Sequence, residues 1–137
     1  MASVIVQSKE KLKQEILSGR HRLVADEPIE AGGTDEKPDP YSLLLAALGA
    51  CTSMTVQLYA RHKGWDLQSV LVTLKHETIH AQDCADCETK EGKLDQIVRE
   101  IQLEGNLSED QRIRLHEIAK KCPVHRTLTS EINIVDV

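Results

Sequence analysis

The chain has 137 residues, a formal net charge of −5, 40% hydrophobic residues and only 2% aromatics, with no phenylalanine at all. That length closes one core, the apolar share is enough for a globule, and the core has to be aliphatic. An acidic balance excludes a general nucleic-acid binder, which is normally basic.

The opening residues, MASVIVQSKEKLKQ, have no long apolar stretch behind a basic one, so they do not read as a secretory signal. Ser3 to Gln7 and His21 to Ala25 read as short strands, with Lys11 to Gly19 a turn or a brief helix between them. DEPIEAGGTDEKPD, Asp26 to Asp39, is a loop by composition. The pattern then changes. Asp39 is a good N-cap and Pro40 suits the first helical position. A helix of about 24 residues follows, with Gly64 as its stop. Its first half is apolar on nearly every face, so it has to be buried all round. A chain this short hardly wraps such a helix, and a second subunit is expected. The most apolar run, Leu43 to Val56, is too short for a membrane span and carries Thr52, Ser53 and Thr55. A cytoplasmic location without membrane or nucleic-acid partners is therefore expected.

Leu67 to His80 reads as a long strand, HAQDCADCETKEG as a polar loop, and Leu94 to Leu103 as a second strand antiparallel to the first. NLSEDQRIRLHEIAKKC is an amphipathic helix. Ser108 caps it and Gln111 completes a capping box, with Leu115, Ile118 and Ala119 on the inner stripe and Ile113 off it. Pro123 ends or bends this helix. A short turn, VHRTLTS, leads to a last strand, Ile132 to Val135. The fold class is α+β in a single domain over residues 1–137, with neither a repeat nor a glycine-rich phosphate loop.

A reducing compartment makes the four cysteines candidates for burial, metal binding or redox chemistry rather than a disulfide framework. Cys51 has apolar neighbours (GACTS) that raise a thiol pKa unless a cation arrives from elsewhere. Cys122 lies between two lysines and Pro123, with His125 and Arg126 beyond. If it opens a helix, the helix terminus favours its thiolate. Taken alone, each also reads as a small buried hydrophobe. Cys84 and Cys87 have C-x-x-C spacing, and His76 and His80 precede them at intervals of four. An idle or structural loop, a tetrahedral zinc site and an auxiliary redox pair all remain open there. Asp83, Asp86 and Glu88 oppose thiolate chemistry at that loop.

PDPYSLLLAALGACTSM, followed by KKCPVHRTLTSEINI, resembles the two-cysteine signature of the OsmC/Ohr family, the organic hydroperoxide reductases and their relatives. GRHRLVADEP and GGTDEKPDP place the resemblance nearer the OsmC-like branch. The resemblance implies an OsmC-like fold: antiparallel sheets with a long buried central helix, in an intertwined homodimer with two active sites at the subunit interface. It implies Cys51 as the peroxidatic cysteine and Cys122 as the resolving one, with Arg20, or Arg22 beside it, activating the thiolate. Organic hydroperoxides are the implied substrates and an external dithiol of lipoyl type the reductant, with no bound cofactor and no metal. The chain departs from the family pattern at Tyr41, where the well-characterised peroxidases carry a glutamate that holds the arginine. Asp39, Glu27 and Glu30 are the acids available instead. A redox sensor or small-ligand-binding protein without robust peroxidase activity is the alternative that this departure favours.

Overall fold

A computed structural model describes residues 1–137, which gather into two compact units, Met1–Leu44 and Leu45–Val137. In the first unit, β1 (Ile5–Ser8), β2 (Gln14–Ser18) and β3 (His21–Ala25) form an antiparallel sheet in that order. Lys11 to Gly19, expected as a turn or brief helix, contains β2. Lys11 and Gly19, with φ of 54° and 58°, make the two reversals and leave the residues between them extended. Ile16 sits opposite Val6 on one side and Leu23 on the other, an aliphatic rung that suits a pleated surface. After β3 the acidic loop folds back on Asp26, whose buried carboxylate accepts the Thr34 hydroxyl at 2.5 Å and the Thr34 N–H at 3.2 Å. Gly33 is required in this loop, because a Cβ there would collide with the Glu27 carbonyl.

The long helix α1 (Pro40–Lys63) starts where Asp39 Oδ1 accepts the Ser42 N–H at 2.9 Å. It stops before Gly64, which has φ 70°. Its buried residues, Leu48, Gly49, Thr52, Val56 and Ala60, fall at helical spacing along one stripe. Met54 and Leu58 are 62% and 61% exposed. Within one chain, then, the central helix is buried on one side and open on the other. By length and apolar content α1 would also cross a membrane, but here its inner stripe belongs to a protein core.

In the second unit, β4 (Asp66–His80) and β5 (Lys93–Asn106) make a long antiparallel ribbon, with Val72 opposite Ile101 and His76 opposite Ile97. Side chains alternate along a strand, so Ile97, Arg99, Ile101 and Leu103 share one face of β5. Leu103 enters a core made with Val56, Ala60, Leu115 and Ala119, against which Tyr59 and Trp65 pack edge to face at 5.6 Å. The helix α2 (Glu109–Ala119) has the expected Ser108–Gln111 capping box, and Leu115, Ile118 and Ala119 are its buried stripe.

Two arginines of α2 set its position. Arg112 donates to the carbonyls of Leu103 and Gly105 at 2.6 and 3.1 Å, and Arg114 donates to the Tyr59 hydroxyl at 3.2 Å. Pro123 opens the short α3 (Pro123–Leu128). The expected closing strand, Ile132 to Val135, does not form. That segment pairs with neither sheet, and an alternating apolar stretch without a partner edge has no ladder to join.

Candidate active site

Two features of the second unit bring distant cysteines together. Thr52 and Val56 turn inward on α1, which leaves Cys51 half-buried at the edge of the same stripe. Leu115, Ile118 and Ala119 dock α2 on the core, and its end, where Pro123 prevents further helix, carries the fully buried Cys122. The two thiols, roughly seventy residues apart in sequence, lie near enough to influence each other's ionisation. The His125 N–H donates to Cys122 Sγ at 3.3 Å, and the Thr52 hydroxyl and the Val124 N–H also reach this sulfur.

These contacts divide the pair electrostatically. Burial pushes the Cys51 thiol up, and donating its proton to Cys122 pushes it further. Burial also works against the Cys122 thiolate, but the donors from Cys51, His125, Thr52 and Val124 outweigh it and bring this thiol below its ordinary value. Burial is thus the leading influence on Cys51, and hydrogen-bond donors the leading offset to burial at Cys122.

A cation, Arg99, stands beside Thr52. From the inner face of β5 its Nη1 donates at 2.9 Å to Oγ1 of the fully buried Thr52, which in turn donates to the Leu48 carbonyl at 2.7 Å. Burial, then the nearby charges of Arg99 and Lys120, depress the pKa of His125 and keep its imidazole neutral. Arg99 and His125 line a cleft of about 390 Å³ with Leu48, Asp95, Ile97, Leu128 and Thr129. A space of that size, lined by apolar Leu48, Ile97 and Leu128 together with polar Asp95, Arg99, His125 and Thr129, suits a small organic ligand that carries a polar group.

Neither Arg99 nor Thr52 was identified from sequence. The legible signal was parity: a charged residue on the face of β5 that also carries Ile97, Ile101 and Leu103. Arg20 lies on the turn between β2 and β3 in the first unit, at an exposed position. Arg22 in the same hairpin is paired with Glu15 at 2.6 Å. Tyr41 is exposed in the first turn of α1.

The other two cysteines are bonded to each other. A disulfide joins Cys84 and Cys87 in the loop between β4 and β5, and Lys90 Nζ braces that loop through the Cys84 and Ala85 carbonyls at 3.2 and 3.1 Å. His76 faces Asp95 across the ribbon at 2.8 Å. A zinc site there would need thiolates, and the disulfide consumes both. No three His, Cys, Asp or Glu side chains converge on a possible ion.

Residues 33–135 match the family model described as OsmC-like protein, a span that holds both thiols and the cleft. The chain belongs to the OsmC-like family. Its fold is similar to that of an OsmC-like protein from Mycoplasma pneumoniae, with a TM-score of 0.73, 20% identity and coverage of 93% of this chain and 86% of that one. It is also similar to the organic hydroperoxide resistance protein OsmC of Legionella pneumophila, with a TM-score of 0.67, 18% identity and coverage of 94% and 89%. A third similar structure is OhrB, the organic hydroperoxide resistance protein of Bacillus subtilis, with a TM-score of 0.61, 16% identity and coverage of 94% and 90%. At these identities the likeness of this OsmC-like chain to each structure is one of fold. No curated protein matches it by sequence.

Proposed function

We propose that this OsmC-like protein is a thiol peroxidase that reduces organic hydroperoxides through Cys51 and Cys122. The observation that carries the reading is that the fold brings the free thiols of Cys51 and Cys122 near enough to influence each other's ionisation, an attacking sulfur with a resolving one beside it. Cys51 is the more accessible sulfur and Cys122 is fully buried, which suits first attack at Cys51 and resolution from Cys122. The Cys122 thiolate takes the Cys51 proton, and the Cys51 thiolate then attacks the distal peroxide oxygen. The O–O bond breaks, an alcohol leaves and Cys51 becomes a sulfenic acid. Cys122 displaces the hydroxyl as water and forms a disulfide, which an external dithiol of lipoyl type reduces by exchange.

Relatives of similar fold from Legionella pneumophila and Bacillus subtilis carry the name organic hydroperoxide resistance protein, which supports this substrate class. The working form is a cytoplasmic homodimer, to which the open side of α1 at Met54 and Leu58 lends itself. Arg20, or Arg22 beside it, is the proposed cation that activates the Cys51 thiolate. The test is to titrate reduced protein with cumene hydroperoxide beside Cys51→Ser. Wild type consumes peroxide and gains a Cys51–Cys122 disulfide, and the variant does neither. A wild type that consumes none overturns the reading.

A second reading, a redox sensor or ligand-binding protein on the same pocket, is favoured by the half-burial of Cys51, which pushes up the thiol that must attack. Under that reading the protein reacts once with peroxide and does not turn over when a dithiol is supplied.

A further inference from the structure

We infer that the cleft lined by β5, α1 and α3 is a binding site for a small apolar carboxylate, with Arg99 holding its charged end. Side chains alternate along β5, so Asp95, Ile97 and Arg99 follow one another on the strand face that lines the cleft. The rest of the lining comes from Leu48 of α1 and from His125, Leu128 and Thr129 in and after α3.

Charge is spread unevenly along this face. At one end the Asp95 side chain is 72% exposed and already paired with His76 at 2.8 Å. Arg99 lies four residues on, about 13 Å along the strand, and is half-buried. Its guanidinium makes one hydrogen bond, from Nη1 to Thr52 Oγ1 at 2.9 Å, and has no acid beside it. The neighbouring strand brings none either. The residues of β4 opposite Asp95, Ile97, Arg99 and Ile101 are Thr78, His76, Leu74 and Val72.

A guanidinium carries five N–H donors, so the edge formed by Nε and Nη2 is left unused. Two parallel N–H groups on one rigid plane match the two oxygens of a carboxylate. A partly desolvated cation without a counter-charge is costly, and a bound carboxylate offsets that cost. Leu48, Ile97 and Leu128 then cover a hydrocarbon body, and a cleft of about 390 Å³ takes a molecule of modest size. An amine is disfavoured, because the acid that would receive it is engaged with His76 and Arg99 repels it.

Pairing of two chains through the open side of α1 leaves this cleft free. At 3.6 residues per turn, Met54 and Leu58 are rotated about 200° and 240° from Thr52, whereas Leu48 is about one turn from it. The His125 N–H donates to Cys122 Sγ at 3.3 Å, so the site adjoins the thiols without using either sulfur. It goes beyond the peroxidase reading and needs no thiol chemistry.

The test is calorimetric titration of the full chain with sodium octanoate, 1-octanol and octylammonium chloride. Octanoate binds at one site per chain about tenfold more tightly than octanol, and octylammonium does not saturate. Arg99→Met loses about tenfold toward octanoate and leaves octanol unchanged, whereas Leu128→Trp, which fills the cleft, loses both. Cys51→Ser binds octanoate as the unmodified chain does, so a failed peroxide assay leaves this result standing. No saturable octanoate binding, equal affinities for octanoate and octanol, or undiminished octanoate binding in folded Arg99→Met or Leu128→Trp overturns the assignment. If Arg99→Met does not fold, the preference of the unmodified chain for octanoate over octanol and its loss in Leu128→Trp decide.

Discussion

The two cysteine pairs of this protein differ in how they are brought together and in what they then become. Cys84 and Cys87 are three residues apart, in a surface loop, and are already bonded. Cys51 and Cys122 are separated by most of the fold, sit at the core and remain thiols. Nearness in sequence makes a disulfide easy to close, while acids at Asp83, Asp86 and Glu88 disfavour the thiolates that would reopen the pair for chemistry. Nearness in space, with Thr52, Val124 and His125 donating to one sulfur, leaves the other pair reduced and one of its members acidic. Reactivity here follows the donors supplied by the fold rather than the spacing of the cysteines.

The sharpest way to break this contrast is by substitution of the sulfurs themselves. Cys51→Ser abolishes peroxide consumption, whereas Cys84→Ser with Cys87→Ser leaves it unchanged, as read by a peroxide assay on the two proteins. Equal losses in both would erase the distinction. Next in size is Leu115→Ala. Leu115 is fully buried under the helix that carries Cys122, so its truncation costs about 3 kcal/mol in denaturant unfolding and slows disulfide formation as α2 loosens. Loss of the Cys84–Cys87 bond costs about 2 kcal/mol or less, because it closes a very short loop. Ser108→Ala costs about 1 kcal/mol by removing the α2 cap.

The smallest effect is a pH dependence. His125 has a folded pKa below its ordinary 6.5, so the unfolded chain takes up the proton first. Stability contributed by the neutral imidazole is present above 6.5 and is lost as pH falls through the folded value, a slope that His125→Gln flattens in thermal melts.

Sequence carried the elements whose signals are local. The Asp39 and Ser108 caps, the Gly64 stop and the Leu115, Ile118, Ala119 stripe each depend on near neighbours, and each is where periodicity places it. Where long-range pairing decides, the reading failed. β2 is a strand because β1 and β3 flank it, and Ile132 to Val135 is not one because neither sheet flanks it. The site divides in the same way. Both cysteines were visible as motifs, but their approach depends on how α2 docks against α1. Arg99 was not singled out from sequence, and it is β5 that places it on the face shared with Ile97 and Ile101. The donor that the His125 N–H presents to Cys122 at 3.3 Å depends on how α3 opens, which no local pattern announces.

The most direct test of the account is disulfide mapping by mass spectrometry after one equivalent of cumene hydroperoxide is added to the protein, with its Cys84–Cys87 bond intact. The account predicts a stoichiometric Cys51–Cys122 bond, absent before the peroxide and removed by a lipoyl dithiol. Peroxide consumed with both thiols left free, or a bond linking either of them to Cys84 or Cys87 instead, would contradict it.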